Sequence, residues 1–183
     1  FLLHVCKKYP ALPAACLILY NPDKSGKHRK LIMSASTPSP LLFLTGAAGN
    51  LGRAVMERFA AGGYKITGTV RAAEGAASLQ MPAAVSLKVV DLLSETATRL
   101  CVVETIQEHG HIDVAILTAG GFASGALAKT SLADIRNQFQ LNFETAYTAA
   151  RAVFQHMLQN KRGNIFLVGS LAGLYAGQGK GLT

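Results

Sequence analysis

The chain is poor in the residues from which several kinds of site are built. Its 183 residues include no tryptophan and three cysteines, and Asp, Glu, Lys and Arg together make up 15%. Cys6, Cys16 and Cys101 are not spaced as metal ligands or as a disulfide framework, and the five histidines form no metal pattern with them. The sequence therefore predicts a reduced, metal-free protein, for which the cytoplasm is the default location.

Long apolar runs and a concentrated basic surface are also lacking. No run approaches the roughly 18 to 20 apolar residues of a membrane span. The net charge of +8 would suit a nucleic-acid partner, but residues 1–32 hold six of the 18 basic residues and one of the 10 acidic ones. The rest of the chain has no basic stripe with interleaved aromatics. We expect neither a membrane nor a nucleic-acid partner.

Residues 1–32 differ from everything after them. They are basic, contain several prolines, show no helix or strand periodicity and begin at Phe1, whereas Met33 starts a short polar lead into an apolar strand. We interpret 1–32 as a non-native or disordered upstream extension and 33–183 as part of a single domain. A targeting peptide is the rival interpretation, because Lys7 and Lys8 precede the apolar stretch 14–20.

From residue 41 onward, apolar strands alternate with helices. Strand candidates lie at 41–45, 65–70, 85–90, 112–118 and 164–169, and helix candidates at 50–61, 94–109 and 131–160. Such alternation implies right-handed crossovers and a parallel sheet with helices on both faces. The sequence predicts an α/β, Rossmann-like doubly wound fold, incomplete at its C-terminal side. Ligands of such sheets bind beyond the carboxyl ends of the strands.

A glycine-rich turn joins the first of these strands to the first helix. Its glycines allow a sharp turn, close approach of the backbone to phosphate, and close packing of helix on strand. An anion is then favoured at the helix N-terminus. The alternative is a glycine-rich helix entry without a ligand, but the flanking strand and helix favour a dinucleotide. The turn reads Thr45-Gly46-Ala47-Ala48-Gly49-Asn50-Leu51-Gly52.

Taken with four later motifs in order, this turn resembles the short-chain dehydrogenase/reductase family, and within it the 3-oxoacyl-carrier-protein reductases. The later motifs are Asp91-Leu92, Thr118-Ala119-Gly120-Gly121, Asn142 and the segment 163–173 with Ser170. The resemblance implies an NAD(P)-dependent oxidoreductase that interconverts a carbonyl and an alcohol on a small molecule. It also implies self-association through the helix at 131–160.

The resemblance assigns a role to each matching residue. Asp91 would bind adenine with help from Leu92, and Ala119 and Gly120 would line the nicotinamide ribose. Asn142 would hold a water of the proton relay, and Ser170 would polarise the substrate carbonyl. Each residue alone has a plainer interpretation as a cap, turn or back-bonded side chain. The cofactor-binding residues expected in the first turn are Thr45, Gly46, Gly49, Asn50, Leu51 and Gly52.

Arg71 bears on the choice of cofactor. NAD sites place a carboxylate at the end of the second strand, whereas NADP sites offer an arginine to the 2′-phosphate. Here that strand ends Thr69-Val70-Arg71. We therefore expect NADP(H) to be favoured over NAD(H), unless Arg71 is only a solvated loop residue.

Two departures from the family pattern are visible. Leu117-Thr118 stands where the family has two asparagines, and the catalytic tyrosine expected thirteen residues after Ser170 falls on Thr183. Tyr175 is followed four residues later by Gly179, not lysine. The missing tyrosine and lysine predict a truncated chain that is inactive or nearly so and whose last strand is an exposed edge. A non-catalytic dinucleotide sensor and a nonfunctional fragment are the alternatives.

Overall fold

The computed structural model describes residues 16–19, 39–73 and 81–170. Its strands form one sheet in the order β1-β6-β5-β2-β3-β4. Strands β2 to β6 are parallel, and β1 pairs antiparallel with β6. The strands are β1 (Cys16–Leu19), β2 (Leu41–Thr45), β3 (Lys65–Val70), β4 (Val85–Val89), β5 (Val114–Leu117) and β6 (Asn164–Ser170). The predicted α/β fold with a parallel sheet is confirmed.

Helices cover both faces of the sheet, and the two faces have separate cores. Alternate residues of β2 point to opposite faces, so that Leu41 and Phe43 belong to one cluster and Leu42 and Leu44 to the other. All four are at most 1% exposed, which explains the uninterrupted apolar run of this strand. The helices are α1 (Asn50–Ala61), α2 (Glu95–His109), α3 (Leu132–Phe139) and α4 (Thr145–Asn160).

The helix predicted at 131–160 is present, but it is not α-helical throughout. A π-helical segment, Gln140–Glu144, separates α3 from α4. The start is as expected, because Ser131 and Asp134 form a reciprocal capping box. In the π segment, the Asn142 side-chain amide donates to the carbonyl of Gln138 at 3.0 Å. That carbonyl lies four residues back, so the side chain competes with the α-helical backbone bond.

Strand β1 corrects two further expectations. The upstream residues show no strand pattern, yet Cys16–Leu19 pairs with β6, with Cys16 opposite Ser170 and Leu19 opposite Leu167. Consequently, β6 is not the exposed edge that was expected. An unpaired sheet edge presents free backbone donors and acceptors, which a short apolar segment satisfies by adding a strand.

Several expectations concern residues outside the described ranges. The rest of the proposed upstream extension and the segment 171–183, with Tyr175 and Thr183, lie there, so the domain boundary at residue 33 stays a prediction. Within the ranges that are described, none of the helices is both long enough and apolar enough to cross a membrane.

Candidate functional site

The glycine turn leaves no room for side chains at two of its positions. Gly46 has a φ of +69°, and a Cβ there would lie 2.8 Å from the backbone nitrogen of Ala119. A Cβ on Gly52 would lie 2.3 Å from the carbonyl oxygen of Gly46. Both distances are shorter than real contacts allow. The turn therefore depends on glycine for a left-handed conformation at Gly46 and for close helix packing at Gly52.

The turn ends at the N-terminus of α1. Gly49 is the N-cap residue, in an extended conformation and without a capping side chain, and the first turn of α1 contains no acidic residue. The first N–H groups of a helix have no intrahelical partner, and they carry the positive end of the helix dipole. Asn50 is exposed and Leu51 half-buried. This end of α1 can therefore receive an anion such as a phosphate.

Two hydrogen bonds join the end of β2 to the segment after β5. The hydroxyl of Thr118 donates to the carbonyl of Thr45 at 2.6 Å. The backbone N–H of Ala119 donates to the hydroxyl of Thr45 at 3.1 Å. Thr45 is 1% exposed and is therefore a fixed support. The structure thus brings Ala119 and Gly120 beside the glycine turn.

Asn142 lies against the same segment from the other side. Its side-chain oxygen accepts from the N–H of Gly121 at 2.9 Å, and its amide also lies 3.3 Å from the side-chain oxygen of Gln138. A Cβ on Gly120 would approach the Asn142 oxygen to 2.7 Å. Both amide hydrogens of Asn142 have acceptors on Gln138, so a lone pair of the oxygen is what remains for a water. No sequence pattern singles out Gln138 beyond its spacing of four from Asn142.

Asp91 follows β4 at the same edge of the sheet. One carboxylate oxygen accepts from the N–H of Leu93 at 3.0 Å, which fixes the side chain in an Asx turn. Asp91 is exposed, and no residue of the described segments hydrogen-bonds its other carboxylate oxygen. Leu92 packs against the core on the α2 side. Asp91 can therefore accept from a donor outside the protein.

Arg71 follows β3, next to the glycine turn. The backbone N–H of Ala47 donates to the carbonyl of Thr69 at 3.0 Å, which ties the turn to the end of β3. Arg71 is exposed, and no acidic side chain of the described residues forms an ion pair with it. Its guanidinium is therefore available to an anionic ligand group.

Ser170 ends β6 at this carboxyl edge, on the far side of β5 from the glycine turn. It is exposed, and it is the last residue before the undescribed segment. The structure thus brings the turn together with Arg71, Ala119, Gly120 and Asn142. It leaves Asp91 and Ser170 at opposite sides of the same edge.

The geometry agrees with a comparison of the chain with known families. The family model of the short chain dehydrogenases matches residues 41–181. The chain belongs to the short-chain dehydrogenase family. The match begins at the first residue of β2, so β1 lies outside the matched residues.

Two curated proteins similar to this chain are reductases by name. The chain is 27% identical over 135 residues to 3-ketodihydrosphingosine reductase of Bacteroides thetaiotaomicron, covering 73% of this chain and 48% of the relative. It is 26% identical over 142 residues to 3-oxoacyl-[acyl-carrier-protein] reductase of Escherichia coli, covering 76% and 58%. The chain therefore spans about half the length of the curated relatives it matches.

The fold is also that of solved short-chain dehydrogenase structures. ElxO, solved with NADP bound, superposes with a TM-score of 0.65 at 20% sequence identity, over 69% of this chain and 54% of ElxO. At this level of identity the likeness supports the fold, not a shared ligand.

Proposed function

We propose that the carboxyl edge of the sheet binds a nicotinamide dinucleotide. The observation that carries the proposal is the glycine turn, which has no room for a side chain at Gly46 or Gly52 and leads into a helix N-terminus without a capping side chain. The pyrophosphate would lie on the N–H groups of Asn50, Leu51 and Gly52. Asp91 and Leu92 would contact the adenine, and Ala119 and Gly120 the nicotinamide ribose.

The reaction we propose is the interconversion of a carbonyl and an alcohol on a small molecule. The dinucleotide supplies or accepts the hydride, and the related proteins named above are reductases by name. The hydroxyl of Ser170 would donate to the substrate carbonyl and stabilise the charge that develops on its oxygen. Asn142 would orient a water with the remaining lone pair of its side-chain oxygen.

Arg71 supports a preference for NADP(H) over NAD(H). Arg71 is exposed, directly follows the strand end that bonds to the turn, and has no acidic partner among the described residues, which suits the 2′-phosphate. A site for NAD would instead need a carboxylate near this position to accept from the ribose hydroxyl.

Residues 1–183 contain no tyrosine after Ser170 with a lysine four positions on. A positioned proton donor contributes about 10² to 10⁴-fold to such reactions. We therefore propose that these residues, studied as a polypeptide, bind the cofactor with little or no turnover. A dinucleotide sensor would behave in the same way at equilibrium, so that binding alone does not separate the two functions.

An exposed aromatic row supports self-association through the helices at 131–160. The rings of Phe139 and Phe143 stack at 4.8 Å, and those of Phe143 and Tyr147 at 6.3 Å. Each of these side chains is more than half exposed. A continuous apolar surface of this kind is typical of an interface. The cytoplasmic location stays a prediction from the sequence.

Titration of purified 1–183 with NADPH and with NADH, followed by nucleotide fluorescence, tests the proposal. We expect saturable binding with NADPH the tighter ligand, and no reduction of a ketone panel. Gly125→Ala is the matched control for a substitution in the glycine turn such as Gly52→Val, because a Cβ on Gly125 would meet only the side-chain oxygen of Thr130 at 3.2 Å. Absence of binding by the folded protein would contradict the proposal.

A further inference from the structure

Thr118 lies just beyond the backbone pairing of β5. The last paired residues of β2 and β5 are Thr45 and Leu117, so no ladder bond holds the chain at position 118. The hydroxyl of Thr118 takes over that task, because it donates to the carbonyl of Thr45 at 2.6 Å. A side chain thus extends the strand pairing by one residue.

The contact is reinforced by a second bond in which Thr45 is again the acceptor. The N–H of Ala119 donates to the hydroxyl of Thr45 at 3.1 Å, and Thr45 itself is 1% exposed. Thr118 and Ala119 are therefore both tied to a residue that the core holds rigidly. Two bonds between the same short segments fix their separation better than one bond does.

The space at this place leaves little room for movement. A Cβ on Gly46 would lie 2.8 Å from the nitrogen of Ala119 and 3.0 Å from the carbonyl carbon of Thr118. The backbone of the glycine turn and the backbone after β5 are thus in direct contact. These two segments form the walls of a crevice at the carboxyl edge of the sheet. Any shift of Thr118 therefore moves one wall relative to the other.

We propose that Thr118 is a positioning residue of the dinucleotide site, and this inference rests on the function proposed above. Its hydroxyl sets the place of Ala119 and Gly120 relative to the glycine turn. It acts through Thr45 and needs no contact with the cofactor. Thr118 can do this because a hydroxyl that donates to a backbone carbonyl needs only a short side chain.

Thr118→Val tests the inference, because valine keeps the shape of threonine and removes the hydroxyl. Thr118→Ser restores the donor. Thr148→Val is the matched control, since the Thr148 hydroxyl donates to the carbonyl of Glu144 at 2.7 Å within the helical segment, away from the crevice. The measurements on 1–183 are the Kd for NADPH, the melting temperature, and amide hydrogen exchange at Ala119.

We expect the Kd of Thr118→Val to rise about tenfold, the size of one well-placed hydrogen bond. Thr118→Ser and Thr148→Val should stay within about twofold of the wild type. Exchange at the Ala119 amide should quicken in Thr118→Val and not in Thr148→Val. If Thr118 only added stability, Thr118→Val and Thr148→Val would both have lower melting temperatures, and their Kd values for NADPH would change by the same factor.

Wild-type binding together with an unchanged Kd in Thr118→Val overturns this inference alone. A rise in Kd that Thr118→Ser fails to reverse overturns it as well. Should Thr118→Val not fold, Thr118→Ala replaces it with the same expected result. Failure of the wild type to bind either dinucleotide is a different outcome, because it contradicts the proposed function itself.

Discussion

The two ends of the parallel sheet are held together in different ways. At the carboxyl end, neutral hydrogen bonds and close backbone contacts join the strands, and the charged Arg71 and Asp91 are exposed. At the amino end, the carboxylate of Asp113 accepts from the backbone N–H of Leu41 at 2.8 Å and pairs with His111 and Arg162. Charged side chains thus join the strands at the amino end, whereas at the proposed ligand-binding end no described residue forms an ion pair with Arg71 or Asp91.

Because the two ends differ in this way, we expect cofactor affinity and folding stability to depend on different residues. The backbone N–H of Asp113 also donates to the carbonyl of Leu41, and its carbonyl accepts from the N–H of Asn164. The starts of three strands are therefore joined at one residue far from the crevice. Substitutions at the amino end should therefore change stability without changing cofactor affinity. Substitutions in the crevice should change affinity in excess of their effect on stability.

The largest expected effect is that of Gly52→Val at the carboxyl end. The new side chain would meet the carbonyl of Gly46 at 2.3 Å, which forces the turn and the N-terminus of α1 apart. We expect the Kd for NADPH to rise about a hundredfold or more, and the free energy of unfolding to fall by about 1–3 kcal/mol. Fluorescence titration and urea unfolding measure the two quantities. Near-normal binding would show that the turn does not hold the phosphate.

Asp113→Asn weakens the contacts at the amino end instead. The amide keeps the shape but loses the charge that holds His111 and Arg162, and one of its two acceptor oxygens. We expect the free energy of unfolding to fall by about 2 kcal/mol, as for a hydrogen bond to a charged group. The Kd for NADPH should stay within about twofold, since the crevice is untouched.

Glu104→Gln is the matched control for Asp113→Asn. It removes one exposed partner of Lys88, at 3.2 Å, and should cost about 0.5 kcal/mol or less. A loss of cofactor affinity in Asp113→Asn would mean that the two ends are coupled.

Arg71→Ser sharpens the comparison within the carboxyl end. Loss of the guanidinium should weaken NADPH about tenfold, because a charge-assisted contact with the 2′-phosphate is removed. NADH has no such phosphate, so its Kd should stay unchanged. Parallel titrations of wild type and variant with both nucleotides give the result. Equal weakening for the two nucleotides would assign Arg71 a general role.

The smallest expected effect is a pH dependence at the amino end. Partial burial, with the charges of His111 and Arg162, lowers the pKa of His156 below its ordinary value of 6.5. Protonation therefore favours the unfolded chain, so stability is full above pH 6.5 and declines as the pH falls below it. His156→Gln should flatten this decline in melting temperature between pH 8 and 5.5. A slope that is unchanged in the variant would exclude His156 as its source.

The sequence predicted those parts of the molecule that local patterns determine. Strand β2 and helix α1 appear at the expected bounds, because an apolar run, a glycine turn and a periodic helix stand in direct succession. The order of motifs from Gly46 to Ser170 was enough to identify the family, which the comparison confirms. The roles of the individual site residues remain predictions.

The remaining features depend on contacts between distant residues. Strand β1 is stabilised by its partner β6, about 150 residues along the chain, and four residues carry no periodicity of their own. In the π-helical segment between α3 and α4, the side chain of Asn142 bonds to the carbonyl of Gln138, and helical periodicity does not reveal such a bond. The hydrogen bond from the Thr118 hydroxyl to the Thr45 carbonyl likewise joins residues 73 positions apart.

The π-helical segment has a consequence for helical phase. Buried Ala149 and Val153 fix the rotation of α4 against the sheet, and each residue of an α-helix turns the chain by about 100°. Deleting one residue between 140 and 144 would therefore rotate α3 by about that angle. Phe139 would leave the aromatic row, and the carbonyl of Gln138 would turn away from Asn142. The π-helical segment thus keeps the aromatic row and the hydrogen bond between Asn142 and Gln138 aligned at once.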